Sequence, residues 1–131
     1  MNITCGTDII EIDRIKAAII KTPSFKDRIF TKNEQDYCFG KKAGRYSSLA
    51  ARFAAKEAVA KALGTGLGSK ASPLDIEVLN DTLGKPYVSL KGITKETFRL
   101  IGAENIDISL SHGKDYAVAF AVITYKEEKH E

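Results

Sequence analysis

The chain has 131 residues, 44% of them hydrophobic, and sets 20 lysines and arginines against 17 acids for a net charge of +3. That length fits one domain burying roughly two-thirds of the surface its unfolded chain exposes. No apolar stretch reaches the ~18 residues of a membrane span, and the acidic opening MNITCGTDIIEID lacks the basic start and long apolar run of a signal peptide, so a cytoplasmic protein is expected.

Residues 3–12, ITCGTDIIEI, set β-branched side chains around a glycine and end in charge, which predicts a strand, then a short helix over about residues 13–21 that Pro23 stops. Thr31 and Glu34 have the spacing of a capping box and predict a helix ending near Gly40. Residues 45–63 are dense in alanine and leucine with no glycine or proline before Gly64, the longest predicted helix, and its short side chains call for very close packing against its neighbours. After GTGLGS, DIEVLN and PYVSL read as strands joined by DTLGK, and ITKETFRLIG as an amphipathic helix closed by Gly102. IDISL and YAVAFAVIT then form a hairpin around SHGKD. In its second strand Tyr116, Val118, Phe120 and Val122 alternate with Ala117, Ala119, Ala121 and Ile123, so both faces are apolar, as in a central strand or a subunit contact. Helices and antiparallel strands segregate, so the expected class is α+β: a single domain over residues 1–125 with a small antiparallel sheet packed on helices, and a solvated tail, KEEKHE, at 126–131.

Phe53, Glu57 and Lys61 fall at i, i+4 and i+8 of the long helix and form one row, drifting ~40° per step. Taken alone, Glu57 and Lys61 also suit an ordinary solvated ion pair. Asp8 lies in the apolar run Thr7-Asp8-Ile9-Ile10, where an acid is costly to bury without a cation or donors, unless it caps a helix. An Asp8 that met Glu57 in space would supply two hard oxygen ligands of the sparse magnesium type, whose other positions take phosphate oxygens and water. The loop Gly64-Thr65-Gly66-Leu67-Gly68-Ser69 follows a helix, so it is no P-loop; it reads either as a helix cap or as a backbone that approaches a nucleotide, with Lys61 as a nearby charge. His112, beside Ser111 at the last hairpin turn, reads as a polar surface residue or a catalyst. Cys5 and Cys38 have no CxxC partner or histidine cluster and are expected to be free thiols. The basic residues bunch at Arg14, Lys16 and Lys21, at Lys26, Arg28 and Lys32, and at Lys41, Lys42 and Arg45, a distribution that steers acidic partners.

In order and spacing, GTDIIEIDRI, RFAAKEAVAKALGTG, LGKPYV and SLSHGKDYA resemble the holo-acyl-carrier-protein synthases, the small stand-alone type of 4'-phosphopantetheinyl transferase, over nearly the whole chain. The resemblance implies that family's fold and a homotrimer with sites at subunit contacts. It implies magnesium-dependent transfer of 4'-phosphopantetheine from coenzyme A to a serine of apo acyl carrier protein, leaving adenosine 3',5'-bisphosphate, in support of fatty acid biosynthesis. By the same resemblance Asp8 and Glu57 are the magnesium ligands, Glu57 takes the proton of the carrier serine, and Lys61 stabilises or protonates the departing phosphate. Arg45, Arg52, Lys61, Gly64, Thr65, Gly66, Lys85, Pro86, Ser111 and His112 then line the coenzyme A groove, while Arg14, Lys21 and Arg28 around an apolar anchor, Phe25, dock the acidic carrier. One rival is a non-catalytic module that holds an acidic protein or nucleic acid on the same basic face. With 8% aromatics, no tryptophan and no RNP-like run, the chain lacks the stacking residues of an RNA-binding sheet, so no nucleic-acid partner is expected. The other rival is a different magnesium-dependent nucleotide enzyme.

Overall fold

The computed structural model describes residues 2–127. In chain order its elements are β1 (Ile3–Glu11), α1 (Ile12–Lys21), α2 (Phe25–Ile29), α3 (Lys32–Phe39), α4 (Arg45–Leu63), β2 (Ile76–Asn80), β3 (Pro86–Leu90), α5 (Gly92–Leu100), β4 (Ala103–His112) and β5 (Tyr116–Tyr125), with 3-10 turns at Lys42–Gly44 and Pro73–Asp75. The expected α+β class is what forms, with the strands divided between two antiparallel sheets, β1-β5-β4 and β2-β3. No helix among the described residues is long and apolar enough to cross a membrane.

Alanine determines how helix and sheet meet. β5 is the middle strand, and Ala117, Ala119, Ala121 and Ile123 point from it to the side where α4 lies, all fully buried. From α4, Ala50, Ala51, Ala54, Ala55, Ala58, Val59, Ala60 and Ala62 are buried as well. With little more than methyl groups between them, backbones approach further than ordinary core side chains allow. Gly6 takes this to its limit: a Cβ on it would lie 2.1 Å from the carbonyl oxygen of Ala58 and 2.8 Å from the amide nitrogen of Ala62, so only glycine fits where β1 crosses α4. The bulky residues of β5 face the other way. Tyr116, Val118 and Phe120 remain 49%, 37% and 43% exposed, and Ile9, opposite Val118 on β1, is 63% exposed. The last strand is central, as its pattern predicts, but one of its two apolar faces is uncovered.

The capping box forms as predicted: the Thr31 hydroxyl accepts from the Glu34 amide at 3.2 Å, and Glu34 Oε1 accepts from the Thr31 amide at 2.8 Å. Glu34 does more than cap. Its Oε2 accepts from the Val78 amide at 3.0 Å, and Oε1 meets the Lys56 ammonium at 2.8 Å with both side chains fully buried. Lys56 uses its remaining donors on the carbonyls of Pro73 and Ile76, at 2.7 and 2.6 Å. Every ammonium proton therefore has an acceptor. Burial still holds the Lys56 pKa below the ordinary lysine value, against the opposing pull of Glu34. This pair ties α3, α4 and β2 together.

Some local readings shift. FKDRI forms a one-turn helix, α2, too short and too polar for periodicity to reveal, with no buried residue of its own. β4 extends beyond IDISL at both ends, pairing from Ala103 to His112, because Ser111 and His112 still pair with Val118 and Ala117. Those two residues therefore end a strand, and the turn is 113–115. The predicted tail begins with Lys126, whose amide donates to the Gly102 carbonyl at 2.9 Å; from residue 128 it lies outside the described residues. Cys5 and Cys38 are free thiols.

Two outcomes follow from this packing. Lys56→Met leaves the Glu34 carboxylate buried without its cation and lowers unfolding free energy in urea by about 3–5 kcal/mol, while adding Glu34→Gln recovers part of the loss. Gly6→Ala forces β1 off α4 and destabilises by about 1–3 kcal/mol in the same measurement, more than an alanine at the exposed Gly113.

Candidate active site

The Gly6 crossing decides where Asp8 goes. Asp8 lies two residues further along the same face of β1, so it too is directed at α4, opposite Ala119 of β5. There Lys61 reaches it: the ammonium donates to the Thr7 carbonyl at 2.9 Å and to Asp8 Oδ1 at 3.2 Å. Glu57 stands one turn earlier on α4, and its pKa is raised, first by burial and then by the negative charge of Asp8, with Lys61 opposing. Asp8, Glu57 and Lys61, which lie on two elements far apart in sequence, are thus one electrostatic cluster. The solvated Glu57–Lys61 pair that spacing allows is not made, because the lysine turns to Asp8 instead.

This cluster edges a cleft of about 330 Å³ between β1, α1, α2 and α4, lined by Asp8, Ile9, Ile10, Arg14, Ile15, Ala18, Phe25, Phe53 and Glu57. Phe25 and Phe53 form its aromatic end, with ring centroids 6.4 Å apart. The structure thus brings Arg14 and Phe25 to the same cleft as the two carboxylates, while Lys21 and Arg28 sit exposed on α1 and α2. The donor set suits a hard divalent cation. Both carboxylates line one cleft, and Asp8 is close enough to Glu57 for its negative charge to raise the Glu57 pKa even with Lys61 opposing. Among the described residues no group of three or more histidine, cysteine or acidic side chains gathers, so such a cation would take its other oxygens from substrate and water.

A second group assembles around Arg52, which is 4% exposed. Its guanidinium donates to the Ser48 hydroxyl at 3.2 Å and to the Asn80 side-chain carbonyl, and lies 4.4 Å from the centre of the Tyr37 ring. Its Nε has no partner, and among the described residues no carboxylate pairs with it. A buried cation without a counter-charge is costly unless an anion arrives. Arg52, Pro86 and His112 line one cleft of about 350 Å³, together with Tyr37, Lys41 and Asn80. Tyr37, Asn80 and Ser48 escape sequence reasoning because nothing local marks them; only the fold puts them beside Arg52.

The other predicted groove residues are more committed. Arg45 donates to the Lys42 carbonyl at 2.8 Å and stacks over Tyr46. Lys85 pairs with Asp107 at 3.1 Å on the surface. The glycine loop acts as the helix cap: Gly64 takes a left-handed φ of 85°, and the amides of Gly64, Thr65 and Gly66 return to the Lys61 and Ala60 carbonyls. Those three amides are therefore occupied within the helix cap. Ser111 and His112 are exposed at the end of β4.

The family described as the 4'-phosphopantetheinyl transferase superfamily matches residues 4–121. A holo-acyl-carrier-protein synthase of Ruminiclostridium cellulolyticum is 55% identical over 125 residues, which cover 95% of this chain and 93% of the relative. The crystal structure of the synthase from Neisseria meningitidis superposes with a TM-score of 0.83 at 34% identity, covering 92% of this chain and 97% of that one. The synthase from Bacillus anthracis, solved in complex with CoA (3',5'-ADP), gives 0.78 at 40% identity, covering 94% and 96%. The motifs, the alanine-packed fold and these likenesses agree: the chain belongs to the holo-acyl-carrier-protein synthases of the 4'-phosphopantetheinyl transferase superfamily.

Proposed function

We propose that this chain transfers 4'-phosphopantetheine from coenzyme A to a serine of apo acyl carrier protein, with magnesium as its resident cation. The observation that carries the reading is the meeting of Asp8, Glu57 and Lys61 at the edge of a cleft whose other wall holds Arg14 and Phe25. The serine oxygen attacks the β-phosphorus of coenzyme A, the bond to the bridging pyrophosphate oxygen breaks, and adenosine 3',5'-bisphosphate leaves. Glu57, a carboxylate lining the cleft beside Asp8, takes the serine proton. Lys61 presents an ammonium to the departing phosphate. Asp8 and Glu57 would hold the magnesium, which when bound neutralises charge on the pyrophosphate oxygens.

Arg52, with His112 and Pro86, supplies the phosphate-binding part of the groove, since an unpaired buried guanidinium favours an anion. Helix geometry sets Arg52 and Glu57 about 140° apart around α4, so the two parts of the site face different directions within one chain. A groove shared between copies joins them, and the uncovered apolar face of Ile9, Tyr116, Val118 and Phe120 supports self-association. The count of three follows the family resemblance. Arg14, Lys21 and Arg28 around Phe25 form the docking surface for an acidic carrier, taken to be the carrier of fatty acid biosynthesis in the cytoplasm.

The test is the intact mass of purified apo acyl carrier protein after incubation with this protein, coenzyme A and magnesium. One phosphopantetheine is gained with the native chain; EDTA abolishes the gain, and Glu57→Ala slows it about 100-fold or more. Arg14→Glu raises the KM for carrier about tenfold and leaves that for coenzyme A unchanged. No gain with several apo carriers would return the chain to the class of binding modules. Phe120→Asp turns the assembly to monomers in sedimentation equilibrium and removes transfer with it; a monomer active at the native rate refutes the shared groove.

A further inference from the structure

We propose that Lys61 is the resident counter-ion of the cation-free site and that a divalent cation exchanges with it, freeing its ammonium for the phosphate; this rests on the assignment of Asp8 and Glu57 as cation ligands. In the structure Lys61 is not directed into open solvent or at Glu57. It is anchored by the Thr7 carbonyl at 2.9 Å and by Asp8 Oδ1 at 3.2 Å, so one of the two carboxylates that would meet a cation is already held by an ammonium.

Charge counting explains why the arrangement must change. Asp8 and Glu57 carry two negative charges between them, and Lys61 offsets one. A doubly charged cation offsets both and turns the lysine's positive charge from a necessity into a surplus, repelled by the cation and left with the neutral Thr7 carbonyl and any incoming anion. The Lys61 side chain is 51% exposed, whereas the Asp8 side chain it holds is 18% exposed, so solvent and an anion reach the ammonium without any change in the core. By contrast the Lys56 ammonium, five residues earlier on the same helix, is fully buried with every donor engaged, and it stays where it is. The two lysines divide the work between holding the fold and moving with the ligand.

The experiment follows the lysine ammonium groups by 15N–1H correlation NMR at low temperature as magnesium chloride is added to the full chain without coenzyme A. The Lys61 peak is identified by its loss in Lys61→Arg, and magnesium binding is measured in parallel by calorimetry. In the cation-free protein Lys61 gives a distinct, slowly exchanging peak beside that of Lys56. Saturating magnesium moves the Lys61 peak to the position of solvated lysines or broadens it away, and the Lys56 peak does not shift. In calorimetry Lys61→Gln binds magnesium about threefold to tenfold tighter than the native chain, because a competing positive charge is gone. Magnesium that binds by calorimetry while the Lys61 peak stays in place overturns the exchange. Absence of magnesium binding in both the native chain and Lys61→Gln, with adenosine 3',5'-bisphosphate present as well as without it, overturns instead the carboxylate-cation assignment on which it rests.

Discussion

The contact of β1 with α4 at Gly6 is the constraint on which the site depends. A strand and a helix normally stand apart by the length of their side chains; here a missing Cβ, facing the backbone carbonyl of Ala58 and the backbone amide of Ala62, removes that spacing. Asp8 then comes within reach of a lysine on the helix and within the field of a glutamate one turn away. Two carboxylates and an ammonium become a single electrostatic unit although Asp8 and Glu57 lie 49 positions apart in the chain. Had the crossing been padded by ordinary core residues, the same three side chains would be unrelated surface charges.

The second half of the structure is organised by burial of charge. Lys56 and Glu34 lie with no solvent contact, and the energy of removing both from water is offset by a full set of donors and acceptors drawn from α3, α4, the Pro73–Asp75 turn and β2. Arg52, one turn before Lys56, is buried without a carboxylate. One helix thus carries a cation paired with a buried carboxylate and a second one held only by neutral groups, with its Nε left unpartnered. Their difference lies in their surroundings, since the neutral Ser48, Asn80 and Tyr37 stand where a counter-charge might have been.

Features set by local rules were legible in the sequence. The Thr31–Glu34 cap, the long alanine helix, the Gly64 terminus and the alternation along β5 all come from neighbouring residues, and all formed. The motifs also marked Asp8, Glu57 and Lys61. What the sequence did not reveal are the contacts between distant segments: that Lys61 turns to Asp8 rather than Glu57, that Lys56 meets Glu34, and that Tyr37 and Asn80 enclose Arg52. Spacing along a helix describes which side chains share a face, not which residues arrive opposite them. The glycine of GTD illustrates this most plainly, since glycine inside a strand signals a close backbone approach, yet only the fold shows that the approaching backbone is α4.

Helix α4 is gripped from two sides. Lys56 is tied on one flank to three carbonyl or carboxylate oxygens, and Ala58 and Ala62 bear on the Gly6 backbone on another. Rolling α4 by one residue, about 100°, would pull the Lys56 ammonium from its three acceptors and bring side chains against the Gly6 backbone. The backbone position of Glu57 is therefore fixed by the same contacts that hold the core. Any shift of the Glu57 carboxylate must come from its own side-chain torsions and from the surrounding helices, not from the axis that carries it.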